Sequence, residues 1–197
     1  MKIVGPSSPD EVIATWLRAD LDSKEIKAQT VRHRLLSLGV GEEALDPASQ
    51  HATDASRPHV LRKLLMMCHG NTVRELVLDE IDWSWAELRH DDPLFLMNYR
   101  DFREWTHGTL LPRDAIEGFA QNRPFDSLTA RIRSGESLPP CICVALDASN
   151  PAVLLDGNGR AIAFASLGRH PELILLGLSP AVTSWYFYPP PSVLSGM

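Results

Sequence analysis

Disulfides, membrane spans and basic excess are all missing from these 197 residues, and each absence removes a class of protein. Three cysteines, Cys68, Cys141 and Cys143, give no disulfide framework. Cys-x-Cys without a second pair also lacks the spacing of a zinc site. On a strand, Cys141 and Cys143 would share one face, so the expectation is buried thiols in a reducing cytoplasm. The apolar runs are strand-length, far short of a membrane span, and MKIVGPSSPDEV lacks the apolar core of a signal peptide. No membrane partner is expected. Lys and Arg number 19 against 25 Asp and Glu, a net charge of −6. General attraction to nucleic acid or acidic lipid is therefore disfavoured. No metal-ligating constellation and no internal repeat stands out.

What is present suits a globular protein with one substantial core, 44% hydrophobic and 22% charged. The first 70 residues read as a helical N-terminal region. Pro9 with Asp10 and Glu11 opens a helix whose stripe is Val12, Ile13, Trp16 and Leu17. A second helix is expected from about Lys24 to Leu38, ending at Gly39. Residues 41–58 read as a loop. A third helix carries Leu61, Leu64, Leu65 and Cys68 and is expected to stop at Gly70. Beyond it, Val73–Leu78 and Ile81–Leu88 read as strands. Trp83 and Trp85 would share a face, to pack under the N-terminal helices or to stack on a base or sugar. Pro93–Thr109, aromatic and charged together, reads as a helix or irregular lid.

From residue 110 the order of elements is clearer. Leu111 to about Gln121 and Asp126–Ser134 read as helices, the second stopped by Gly135. Pro139-Pro140 leads into strand Cys141–Leu146, and a short turn into strand 152–155. Then come Asp156-Gly157-Asn158-Gly159-Arg160, an Ala-rich helix over 160–167 closed by Gly168, and strand Leu173–Leu178. The fold class is α+β, with a core over 71–178. The tail over 179–197, aromatic and then Pro-rich, either packs back or reaches a partner.

The glycine turn is the chemically informative stretch. A strand, a glycine turn and a helix start point backbone N–H groups and a helix dipole at one spot, and Arg160 adds a planar cation. A Walker loop is excluded, because no Gly-Lys-Ser/Thr follows. A Rossmann turn fits Gly157 and Gly159 but has Ile162 at the third glycine position and no acidic residue some twenty positions on. A calcium loop fails at Arg160, Ala161 and Leu167. The bland reading stays open: glycines for left-handed backbone at 157 and 159, and Arg160 paired with a carboxylate.

Pro-Pro, strand, turn, strand, Asp-Gly-x-x-Arg, Ala-rich helix, Gly, strand resembles the ParB/sulfiredoxin-like superfamily (the ParB-like nuclease domain) over about residues 76–178. The resemblance implies a mixed sheet with packed helices and a turn that contacts nucleotide phosphates. Gly157, Asn158, Gly159 and Arg160 would then cradle phosphate, with Asp156 as base or turn organiser. ATP or CTP would be the nucleotide, and Mg²⁺ would accompany it. The family's two histidines in Asp-Gly-His-His-Arg are replaced here by Asn158 and Gly159, which cannot shuttle a proton near neutral pH. Sulfiredoxin's turn cysteine is absent as well. An upstream acid, Asp101 or Glu104, would complete a catalytic set with Asp156.

Three functions compete on these residues. The first is a nucleotide- or phosphate-ligand-binding protein, extending to phosphoryl transfer or nucleotide hydrolysis on a small molecule or protein. The second is a nucleotide-gated, DNA-associated binding protein, disfavoured by the acidic charge. The third is a non-catalytic domain meeting a protein partner through its N-terminal helices or its tail.

Overall fold

The computed structural model describes residues 1–23, 26–46, 55–89, 92, 94–95, 111–112, 116 and 125–189. The chain forms two compact units: Ser7–Asp79, and Met1–Pro6 together with Glu80–Met197. The boundary thus falls at Asp79, later than the expected residue 70. The first six residues belong with the sheet.

The helical unit contains α1 (Pro9–Leu21), α2 (Ile26–Ser37) and α3 (Arg57–Val73), each packed on the other two. α1 starts as its sequence dictates. Ser8 is extended and its side chain accepts the Glu11 N–H at 3.2 Å, with Pro9 in the first turn. Val12, Ile13, Trp16 and Leu17 are all buried. α2 gives way at Gly39, whose φ of +70° lets Val40 N–H reach back to the Leu35 carbonyl at 3.2 Å. α3 buries Leu61, Leu64 and Leu65. It does not stop at Gly70. It kinks at His69 (φ −131°, ψ 17°) and runs on to Val73. A helical glycine costs about 1 kcal/mol, and burying Thr72 and Val73 beyond it offsets that cost. The expected strand Val73–Leu78 is also corrected: Val73 closes α3, and Leu78–Glu80 is a 3₁₀ turn. Arg62 binds α3 to its surroundings, donating to Asp10 Oδ1 at 2.6 Å and to Asp79.

The sheet unit is mixed α+β, in agreement with the fold class read from the sequence. Its strands among the described residues are β1 (Lys2–Pro6), β2 (Asp82–Glu87), β3 (Leu94–Phe95), β4 (Cys141–Ala145), β5 (Ala152–Asp156) and β6 (Leu173–Leu178). They lie in the order β1-β2-β6-β4-β5-β3. β4 and β6 are central and parallel, and β4 is buried along its whole length, as an unbroken apolar run requires. On one face Cys141, Cys143, Leu154, Ile174 and Leu176 form a core with Ala161 and Ile162. Both thiols are buried on that face, as expected.

β1 corrects the helical reading of the N-terminus. It pairs antiparallel with β2, with a bulge between Ile3 and Gly5. The segment is too short, and too broken by Gly5 and Pro6, to show alternation; the free edge of β2 selects it. In the segment read as a helix or lid, Leu94 and Phe95 are instead a strand parallel to β5. Trp83 is buried opposite Gly177, where an added Cβ would come within 2.8 Å of the indole.

Two further helices, α4 (Phe125–Arg133) and α5 (Asn158–Ser166), pack on each other. Gly135 and Gly168 follow them at φ +75° and +65°. In the expected helix from Leu111, only Leu111, Pro112 and Ile116 are described; Ile116 is helical and packs on the core. The tail packs back on its own unit as far as Pro189. Trp185 is buried, and the Tyr188 hydroxyl accepts the Leu146 N–H at 3.1 Å. Among the described residues, no helix is long and apolar enough to cross a membrane.

Candidate functional site

β5 delivers Asp156, the chain turns at Gly157, and α5 begins at Asn158. Gly157 has φ +102° and ψ 17°, a left-handed conformation that side chains resist. Space enforces glycine as well. A Cβ there would lie 2.8 Å from Cys141 Sγ and 3.2 Å from Cys141 Cα. Gly159 is different: it lies within α5 and is not among the positive-φ glycines. The expectation of left-handed backbone at both glycines therefore holds at 157 only.

Because the N-cap is a glycine, no side chain caps α5, and no acidic residue sits in its first turn. The Gly157 carbonyl accepts Ala161 N–H at 2.9 Å, which starts the helix. An uncapped helix start presents partial positive charge and backbone donors.

Arg160 stands one turn into α5 and folds back on the strand. Its Nη2 donates to Asp156 Oδ2 at 2.7 Å and to the Pro140 carbonyl at 3.2 Å. Both charged side chains are largely out of water, 13% and 12% exposed. Arg160 Nε is buried with no hydrogen-bond partner among the described residues. Burial is the largest influence and works against the guanidinium charge, but Asp156 and Cys141 together outweigh it and hold the Arg160 pKa above its ordinary value.

Cys141 Sγ lies 3.7 Å from the Gly157 carbonyl, directly under the turn. Burial pushes its thiol up, against the opposing pull of Arg160. Burial pushes Cys143 well above the ordinary thiol range. Both stay protonated at neutral pH, so neither is an activated nucleophile. The sequence reading missed Cys141 and the Pro140 carbonyl as parts of the turn. Strand alternation placed Cys141 on the correct face, but no local signal says that β4 begins against residue 157.

Among the catalytic candidates the structure places Asp156, in contact with Arg160. Asp101 and Glu104 lie outside the described residues. Among the described residues no group of three His, Cys, Asp or Glu side chains could hold a metal ion.

The helical unit contains a second buried charge that sequence reasoning did not find. Asp20 on α1 is 3% exposed. His69 Nε2 donates to Asp20 Oδ2 at 2.5 Å, and Lys27 Nζ lies 3.1 Å from Oδ1. The Trp16 ring stacks on His69 with centroids 4.6 Å apart. No family model matches the chain, and no curated protein or solved structure matches it either.

Proposed function

We propose that the chain is a nucleotide- or phosphate-ligand-binding protein, with a ParB/sulfiredoxin-like core and the Asp156–Arg160 turn as its phosphate grip. One observation carries this reading. α5 starts without a cap on a left-handed glycine at the end of β5, with a guanidinium one turn away. The order α4, Pro139-Pro140, β4, β5, glycine turn, α5, Gly168, β6 supports it. Binding is favoured over phosphoryl transfer or nucleotide hydrolysis. The one described acid at the turn, Asp156, is engaged by Arg160, and neither Asn158 nor Gly159 can carry a proton. Nucleotide-gated DNA association would act against a net charge of −6.

Calorimetry and thermal shift with ATP, ADP and CTP, each with and without Mg²⁺, test the reading. Saturable binding is expected, and Arg160→Ala weakens it by about 1.5–3 kcal/mol, the worth of a charge-assisted contact. No binding of any of the three ends the proposal. The Asp156–Arg160 pair favours one competitor, a purely structural turn. Under that reading Arg160→Ala changes stability, and there is no ligand to lose.

A further inference from the structure

Arg160 is held in an incomplete way. A guanidinium offers two bidentate forks to an oxyanion, one along Nη1 and Nη2 and one along Nε and Nη2. Nη2 belongs to both. In this structure Nη2 is shared between Asp156 Oδ2 and the Pro140 carbonyl. Nε, the other half of the side fork, is buried and has no hydrogen-bond acceptor among the described residues. A buried donor left unpaired is costly and calls for a partner. Nη2 offers one hydrogen to each fork, and the Asp156 carboxylate and the Pro140 carbonyl take one each, so a bidentate oxyanion has to displace one of them, while the adjoining Nε has no acceptor among the described residues.

We infer that Asp156 is an internal competitor that sets the affinity of the turn, so that a phosphate oxyanion seats on Arg160 only as the Asp156 carboxylate withdraws. The inference rests on the phosphate-binding reading and adds a regulatory contact to it. The competitor sits four residues from the cation, across the turn, and the chain tethers it there. Its local concentration is fixed by the chain. Weak phosphate ligands are thereby rejected, and a ligand with further contacts is required to displace it.

Asp156→Asn tests this, because it keeps the shape and removes the charge. The probes are inorganic phosphate and pyrophosphate, measured by calorimetry on wild type and variant with thermal denaturation run on both. Binding at least about tenfold tighter in Asp156→Asn is expected. Phosphate binding by the variant alone supports the inference most strongly. Binding that the variant leaves unchanged or weakens overturns the inference and spares the phosphate-binding reading. No binding by either protein overturns both. If Asp156→Asn does not fold, NMR on the wild type decides: pyrophosphate must shift the Arg160 Nε–H and the Asp156 carboxyl carbon together. A shift at Arg160 with Asp156 unmoved overturns the inference alone, and no shift at either group overturns both.

Discussion

In the sheet unit, Asp156 finds its cation four residues along the chain, across a single turn. In the helical unit, Asp20 finds Lys27 on α2 and His69 on α3. Both carboxylates are largely removed from water, so each needs a partner to offset desolvation. They differ in what positions that partner. For Asp156 the decisive element is backbone: Gly157 in its left-handed conformation brings Arg160 back over the strand. For Asp20 it is the packing of three helices, with α3 bent at the residue that makes the contact. A pair built on one turn forms with its turn; a pair built on three helices forms only with the whole unit.

The largest test of this contrast is Gly157→Ala. It forces a side chain into left-handed backbone and against Cys141, at an expected cost of about 3 kcal/mol or more. Hydrogen exchange should place the loss in the sheet unit, at β4, β5 and α5. If the loss spreads equally to the amides of α1–α3, the separation of the units as drawn is wrong. His69→Ala comes next. It leaves Asp20 buried with Lys27 as its remaining partner and removes the ring stacked on Trp16, for an expected cost of about 2–3 kcal/mol. Denaturant unfolding followed at α1–α3 amides measures it, and His69→Gln, which retains a donor, should recover part of the loss.

The smallest effect is on pH dependence. Burial alone would raise the Asp20 pKa, but the His69 hydrogen bond and the Lys27 charge bring it below the usual carboxylate value. A lowered folded pKa contributes stability that is present above about pH 4 and is lost as pH falls through the folded value. Asp20→Asn should therefore flatten the acid limb of the helical unit's stability curve. An unchanged acid slope would show that the Asp20 contacts do not contribute to stability as assigned.

Legibility followed the same division. The start of α1 at Pro9, the starts and ends of β4, β5 and β6 to within a residue or so, the helix stop at Gly135, and the positive φ of Gly157 and Gly168 were readable because a few adjacent residues set each of them. β1 was not, since five residues containing Gly5 and Pro6 become a strand only where β2 offers an edge. The continuation of α3 beyond Gly70 was hidden for a related reason: local propensity says stop, and burial of Thr72 and Val73 overrules it. At the candidate site, the five letters 156–160 and the Arg160–carboxylate option were legible. The contributions of Cys141 and Pro140 were not, because they arrive from another strand.

The sequence alone determined the turn: a glycine where only glycine fits, a helix whose N-cap residue has no side chain to cap it, and an acid and a base spaced to meet across one helical turn. Tertiary structure decided what that turn leaves available. By bringing β4 beneath Gly157 and burying Arg160, it committed Nη2 to Asp156 and Pro140 and left Nε without a hydrogen-bond partner among the described residues. Conformation over five residues is a matter of local sterics, whereas desolvation depends on what the rest of the chain places around them.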